Sequence, residues 1–261
     1  MSNYWADRQA AAQNAITNKS IRQINKQLSK YYSRSMKRVI ADFESTYEKL
    51  LLTVGEGRQP TPADLYKLDK YWSMQAQLRR ESDRLGNLLT NLYSKVFEVN
   101  FWSVYDSISI KGLEAFSTID KGAVQQMINA VWVADGKSFS SRIWGNTAQL
   151  VETLNEELIN CIVAGRKTTD LKKALQHRFN VSYHRADTLA RTELAHVQTL
   201  AAQQRYKDYG ITEYEFYADP DERTCEVCGK LHQKRFPINS TPKVPQHANC
   251  RCCILPVIDL E

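Results

Sequence analysis

Near its end the 261-residue chain reads Cys225-Glu-Val-Cys228 and then His247-Ala-Asn-Cys250-Arg-Cys252-Cys253, and these two stretches hold five of its six cysteines. Two thiolates at C-x2-C spacing can bind one ion, and a distant pair can complete a tetrahedron around it. The segment between the two stretches contains three prolines and no long apolar run, as expected for a loop closed at its base. The pattern predicts a zinc knuckle.

The predicted ligands are all soft or borderline donors. Four side chains form the preferred set, with one alternate: Cys225, Cys228, His247 and Cys250, or Cys252 in place of Cys250 or His247. Cys253 is expected to point away from the ion, because side chains alternate along an extended chain. His232 is a weaker candidate and is interpreted as a loop residue. Four protein ligands leave no open position for water, so the ion is predicted to be structural.

Three other interpretations of the cysteines remain open, namely a disulfide knot, unrelated buried thiols and a catalytic zinc. The chain contains no H-E-x-x-H, and no H-x-E paired with P-C-x-x-C, which argues against zincins and zinc deaminases. The N-terminus lacks the apolar segment of a signal peptide. We therefore expect synthesis in a reducing cytoplasm, where clustered cysteines indicate metal rather than disulfide.

Composition favours a helical protein with a substantial core. Apolar residues make up 43% of the chain, and there are only 10 glycines and 7 prolines. No apolar run approaches the roughly 18 residues of a membrane span. The net charge of +6, from 35 basic and 29 acidic residues, is compatible with nucleic acid but does not diagnose it.

Apolar periodicity and capping signals divide most of the chain into helices. The expected helices cover residues 3–52, 62–92, 92–110, 121–133, 139–164, 169–179 and 182–209. Thr61 and Ser182 are predicted N-caps, and Gly165 and Gly210 are predicted to end helices. Short strands are expected at 214–218, 235–238 and 253–257, with a turn at Asp219-Pro220-Asp221 after the first.

The predicted fold is therefore mainly α, a multi-helix body with a small C-terminal β and zinc-knuckle module. We expect an N-terminal helical region over residues 1–136, a second helical region over 137–213, and the strand and knuckle module over 214–261.

The first helix presents two surfaces. Its apolar stripe contains Ile21, Ile24, Leu28, Tyr31, Ser35 and Val39. Five cations at steps of four residues form a second row, here called the basic ridge: Arg22, Lys26, Lys30, Arg34 and Arg38. No acidic residue occurs between Arg8 and Ala41. The ridge is predicted to bind nucleic acid or a partner, because such cations neutralise phosphates. A solvated helix face and an acidic protein partner are the alternatives.

One helix and the knuckle together carry a family resemblance. Residues 185–193 contain Arg-x5-Arg-Thr-Glu, and Asp-x-Arg-Thr-Cys-x2-Cys and Pro-x-His-x2-Cys-Arg-Cys follow a strand. This order resembles the Mu F-like phage head morphogenesis, or minor head protein, family over about residues 137–257. The matching positions are Arg185, Ala186, Arg191, Thr192, Glu193, Asp221, Arg223, Thr224, Cys225, Cys228, Leu231, Pro245, His247, Cys250, Arg251 and Cys252. We expect Arg185, Arg191, Glu193 and Asp221 to do structural work, with Arg185 or Arg191 reaching knuckle carbonyls.

The resemblance implies a non-enzymatic virion component in the head interior or at the portal vertex. Its implied partners are the portal protein, scaffold or capsid proteins, and DNA. The portal is expected to dock on the apolar stripe through Ile24 and Leu28. The alternatives are a stand-alone zinc-knuckle nucleic-acid-binding protein, which would use Lys230, Lys234, Arg235 and Lys243, and a metal-dependent hydrolase. No catalytic residue is predicted.

Overall fold

A computed structural model of the protein describes residues 3–55, 57–114, 116–219, 221–239 and 244–258. Pro220 of the predicted turn and Lys243 lie outside this part of the chain. The described helices are α1 Asn3–Val54, α2 Pro62–Tyr66, α3 Asp69–Ser107, α4 Lys121–Asn129, α5 Phe139–Val163, α6 Thr168–Asp208 and α7 Glu226–Leu231. The strands are β1 Glu213–Tyr217, β2 Arg235–Pro237 and β3 Cys253–Pro256. The protein is thus mainly helical, with one small sheet, as predicted.

The helix ends follow the local signals in the sequence. Thr61 and Asp64 form a capping box at the start of α2, with Pro62 in the first turn. Gly165 and Gly210 have positive φ angles of 59° and 74° at the ends of α5 and α6. Glycine adopts this left-handed conformation without a Cβ penalty, which lets the last carbonyls bond back to the chain. These predicted ends are confirmed.

Two predicted helix breaks are wrong. Residues 69–107 form the single helix α3, and 168–208 form the single helix α6. No glycine or proline occurs at residues 87–97 or 176–186, so nothing in either stretch forces a break. Ser182 lies buried inside α6, where its Oγ is 2.9 Å from the Tyr32 hydroxyl. A tertiary hydrogen bond has therefore replaced the predicted N-cap.

The apolar stripe of α1 faces the protein's own interior. Ile24 and Leu28 are 0% exposed, and Ser35 and Val39 are also buried. The predicted docking of a partner through Ile24 and Leu28 is therefore wrong, since neither side chain is accessible. The amphipathic pattern was recognised correctly, but an apolar helix face packs on its own core before it packs on a partner.

The three strands form one antiparallel sheet in the order β2-β1-β3. In the central strand, Tyr214 lies opposite Phe236 of β2 and opposite Pro256 of β3. Strands of five, three and four residues give few ladder hydrogen bonds, so this sheet depends on other contacts.

The chain divides into two compact units. Unit 1 contains Met1–Asn25, Leu92–Phe139 and Thr188–Glu261, and unit 2 contains Lys26–Asn91 and Ser140–Asp187. Helices α1, α3 and α6 therefore contribute residues to both, and α5 does so through its first residue, Phe139. The predicted division at residues 136 and 213 follows the chain order and stays a prediction. Among the described residues, no helix contains an apolar window long enough to cross a membrane.

Tyr206 joins three elements of unit 1. Its side chain is fully buried in α6, and its hydroxyl donates to the Ile254 carbonyl of β3 at 3.1 Å. The same oxygen accepts from Gln9 and Gln13 of α1, at 3.1 and 3.3 Å. Burial raises the pKa of Tyr206 well above its usual range. The neutral phenol thus anchors β3 between two helices.

We expect Tyr206→Phe to lower the free energy of unfolding by about 1–3 kcal/mol, because buried partners would lose their hydrogen bond. Tyr31→Phe is a matched control, since the half-buried Tyr31 hydroxyl has no recorded hydrogen bond within the described part of the chain. Urea denaturation of both variants measures the difference. Equal midpoints for the two variants would contradict the anchoring role.

Candidate metal centre

Helix α7 positions the first two thiols. Cys225 is its N-cap, and the Cys228 amide donates to the Cys225 sulfur at 3.4 Å. This hydrogen bond is the main cause of the lowered pKa of Cys225. A short helix beginning at the first cysteine therefore turns both sulfurs toward one point. The C-x2-C spacing predicted the paired thiols, whereas the helix was not predicted.

The second stretch turns back onto this helix. Asn249 has a φ of 59°, a left-handed conformation that asparagine tolerates, and the Cys250 amide bonds to the His247 carbonyl at 3.2 Å. His247 Nε2 lies 3.3 Å from Cys225 Sγ and 3.4 Å from Cys228 Sγ. Cys228 Sγ lies 3.8 Å from Cys250 Sγ. Residues separated by about twenty positions in the sequence thus converge as predicted.

These distances fit a shared metal ion. Bonds of about 2.3 Å to sulfur and about 2.0 Å to nitrogen place two sulfurs about 3.8 Å apart on a tetrahedron, and sulfur and nitrogen about 3.5 Å apart. A disulfide instead requires about 2.05 Å between sulfurs. All six cysteines are free thiols. The geometry therefore fits a metal cluster and does not fit a disulfide knot.

The cluster contains more donors than one tetrahedral ion needs. Two groups have ligand atoms within 4.8 Å of one another, and they share Cys228. One adds Cys225 and His247, and the other adds Cys250 and Cys252. Both predicted alternatives for the fourth ligand, Cys250 and Cys252, are therefore within the cluster. His247 is exposed whereas both of these cysteines are buried.

The thiols strongly influence one another's ionisation. A hydrogen bond from the Cys252 side chain lowers the pKa of Cys250 to about 5. The same interaction raises the pKa of Cys252 far above its usual range, and burial raises that of Cys228 to about 12. Several buried thiolates cannot coexist without a compensating cation. A divalent ion held by these thiols would supply that charge and displace the protons.

Cys253 and His232, which were not in the preferred ligand set, both pack against other residues. Cys253 belongs to a buried apolar cluster with Ala10, Tyr217 and Leu255, and it is in neither group of converging ligand atoms. His232 accepts a hydrogen bond from the Ala218 amide at 3.2 Å and packs edge-on against Tyr217. Each therefore has a packing role.

An ion-pair network closes the ends of the two stretches. Arg251 binds Asp219 at 2.8 Å and Asp221 at 2.6 Å, and Arg223 also binds Asp221 at 3.0 Å. The Arg251 guanidinium holds the pKa of the Asp221 carboxyl well below its usual range. Arg251 lies between two candidate ligands, so its pairing with the turn before Cys225 aligns one stretch with the other. This supports the structural role predicted for Asp221.

Helix α6 contacts the knuckle through Thr192, a position of the family motif for which no role was predicted. The Thr192 hydroxyl accepts from the Asn249 amide at 3.2 Å. Glu193 is buried and accepts from the Trp132 indole at 2.9 Å. Arg185 donates instead to Gln149 of α5, so the bond from Arg185 to a knuckle carbonyl is not observed. Thr192 was missed because a lone threonine on a helix gives no signal of its partner.

Comparison with known proteins identifies the region that contains α6 and the cluster. The family described as Phage Mu protein F like protein matches residues 152–255. Residues 152–255 form a Mu F-like region. The match covers the Arg-Thr-Glu helix and both cysteine stretches, so the suspected family is confirmed for this part of the chain.

Two curated relatives are similar to longer parts of the chain, at low identity. The chain is 20% identical over 206 residues to the NAD(+)--arginine ADP-ribosyltransferase EFV of Enterococcus faecalis, covering 71% of this chain and 42% of that protein. It is 25% identical over 116 residues to an uncharacterized protein of Haemophilus influenzae, covering 43% of this chain and 26% of that protein. The chain thus spans less than half of either relative. No solved structure matches.

We expect the purified protein to contain about one metal ion per chain. Cys228→Ser should lose the ion and unfold residues 214–257, because binding in such sites is worth about 10 kcal/mol or more. Cys253→Ala is the matched control, since it removes a buried cysteine outside the cluster and should retain the ion. Elemental analysis and thiol titration measure both effects. Wild-type protein without metal and with freely reactive thiols would contradict the metal site.

Proposed function

We propose that the protein is a phage minor head protein, a non-enzymatic virion component that associates with the portal vertex and contacts packaged DNA. The observation that carries the proposal is the Mu F-like match across α6 and the cysteine cluster. The family concerns phage head morphogenesis, which favours capsid-related partners and a location in the virion.

We propose further that the cluster binds one structural zinc ion. The donor set of thiolates and imidazole is the one zinc prefers, and four such ligands leave no coordination position for a substrate or a reactive water. The Arg251 ion pairs and the Thr192 hydrogen bond hold the backbone around the cluster. The ion's role is therefore to fasten the small sheet and its loop.

The polar residues of the α6 motif support a structural function. Glu193 accepts from Trp132, and the His196 ring stacks on Trp132 at 4.2 Å. Both side chains thus pack in the protein interior.

The ADP-ribosyltransferase named among the relatives supplies the enzymatic alternative, because similarity covers 71% of this chain. We expect no nicotinamide release when the protein is incubated with NAD and a peptide whose arginine could accept ADP-ribose. Release above a Glu193→Gln control would contradict the non-enzymatic assignment.

The portal assignment is tested by capture from infected cells. The tagged full chain should retain the portal protein, identified by mass spectrometry, because a vertex component must bind it stably. The Cys228→Ser variant serves as a control for dependence on the knuckle. A capsid or scaffold protein retained without portal protein would contradict association with the vertex. A cellular nucleic-acid-processing complex would favour the stand-alone zinc-knuckle alternative.

The DNA assignment rests on the basic ridge. Arg22, Lys26, Lys30 and Arg34 are exposed without ion-pair partners in the described part of the chain, whereas Arg38 pairs with Glu81 at 2.9 Å. Replacing all five ridge cations with glutamine should weaken binding to any duplex sequence. It should also reduce the slope of log K against log salt by about 4, since each phosphate contact contributes about 0.9. An unchanged slope in a gel-shift salt series would show that the ridge does not contact DNA and is only a solvated helix face.

A further inference from the structure

The net charge of the chain resides in one of its units. Unit 2 contains 19 lysines and arginines against 13 acidic residues, which accounts for the full +6, whereas unit 1 contains 16 of each. The excess of positive charge, which is mild over the whole chain, is therefore concentrated in fewer than half of its residues. The partner that this charge favours should contact unit 2.

Within unit 2 the fold places two acid-free helix stretches side by side. Residues 26–41 of α1 contain no acidic residue, and neither do residues 171–186 of α6. The Tyr32 hydroxyl donates to the Ser182 carbonyl at 3.2 Å, and Lys172 pairs with Glu44 at 3.2 Å. These contacts show that the two helices run antiparallel. Positive charge from segments about 150 residues apart thus collects on one face.

A polar groove of about 290 Å³ lies between these two stretches. It is lined by Ser29, Tyr32, Ser33, Met36, Phe179, Asn180 and Tyr183. Ser29, Ser33 and Asn180 are exposed, so their hydroxyl and amide groups can donate to a ligand in the groove. Tyr32 is already bound to Ser182 and Asn146, and it forms part of the groove floor.

Lysines border the groove on both sides. On α1, Lys26 and Lys37 lie one helical turn from the groove residues Ser29 and Ser33, and Lys30 is adjacent. On α6, Lys173 lies two turns before Asn180 on the same helix face. All four lysines are exposed, and none has an ion-pair partner within the described part of the chain.

Other cations of these helices are engaged elsewhere. Arg38 pairs with Glu81, Arg178 with Glu157 and Lys172 with Glu44. The basic ridge also winds around α1, because a step of four residues advances about 40° beyond a full turn. Its later members therefore leave the groove side. The groove lysines share Lys26 and Lys30 with the ridge, whereas Lys37 and Lys173 belong only to the groove.

We propose that this groove binds the phosphodiester backbone of duplex DNA, with Lys26, Lys30 and Lys37 on one side and Lys173 on the other. The inference rests on the DNA contact of the proposed function and assigns it a two-helix site. Lysines on both sides neutralise phosphates, while Ser33 and Asn180 donate hydrogen bonds to phosphate oxygens. Neither contact reads a base, so binding is independent of sequence.

The test is a salt series on the full chain with a mixed-sequence duplex. Replacing the four groove lysines with glutamine should reduce the slope of log K against log salt by about 3 to 4. Lys173→Gln alone should reduce it by about 0.9, and Lys173→Arg should restore it. The matched control replaces four exposed lysines of unit 1 with glutamine and should leave the slope unchanged: Lys95, Lys111, Lys121 and Lys207.

A charge-neutral variant tests the groove itself. Replacing Ser33 and Asn180 with leucine keeps every cation but fills the groove and removes two donors. Binding should weaken roughly five- to tenfold with an unchanged slope, as expected for lost hydrogen bonds. Both positions are exposed, so the fold should tolerate the change.

The outcomes separate this inference from the broader proposal. If the five ridge substitutions lower the slope but Lys173→Gln does not, DNA contact stands and the two-helix groove is wrong. If the unit 1 control lowers the slope equally, the slope reports the net charge of the protein, and the groove is not a specific site. If the wild-type protein shows no salt-dependent binding, both the DNA half of the proposed function and the groove are wrong.

Discussion

The convergence of thiol and imidazole groups at one point is the constraint on which the C-terminal part of the protein depends. The sheet has strands of only five, three and four residues, and the described residues of the connection between β2 and β3, 238–239 and 244–252, form no helix or strand. Few ladder hydrogen bonds hold so short a sheet, so it depends on contacts outside the strands. Cys225 and Cys228 on α7 meet His247 and Cys250 from the far end of that connection. A metal ion bound at this point would cross-link the two ends of the loop.

Contacts around the cluster then carry this constraint into the helices of unit 1. Arg251 bonds back to Asp219 and Asp221, and Thr192 of α6 receives the Asn249 amide. Further along α6, the Tyr206 hydroxyl donates a hydrogen bond to the Ile254 carbonyl of β3. Two points of α6 about four turns apart thus fix the knuckle and the sheet. Within the Arg-Thr-Glu motif, Thr192 is the residue that contacts the loop, while Glu193 accepts from Trp132.

Local chemistry explains which features the sequence predicted. Three features depend only on neighbouring residues and could therefore be predicted from the sequence: the N-cap at Thr61, the left-handed glycines and the cysteine spacing. The continuity of α6 through Ser182 depends on Tyr32, which is distant in the chain. The burial of Ile24 likewise depends on which surface covers α1. A periodic stripe shows that a helix face is apolar, but not whether a core or a partner covers it.

The arrangement of unpaired cations in unit 2 is itself an argument for a partner. Like charges four residues apart on a helix repel each other and weaken it by a few tenths of a kcal/mol per pair. Lys26, Lys30 and Arg34 follow this spacing with no acidic residue between them, although glutamate pairing is common on exposed helices. The fold then places Lys173 of α6 on the other side of the groove that Lys26 and Lys30 border. A polyanion bound there would offset this repulsion with new attractive interactions, whereas a merely solvated surface would gain nothing from the concentration of charge.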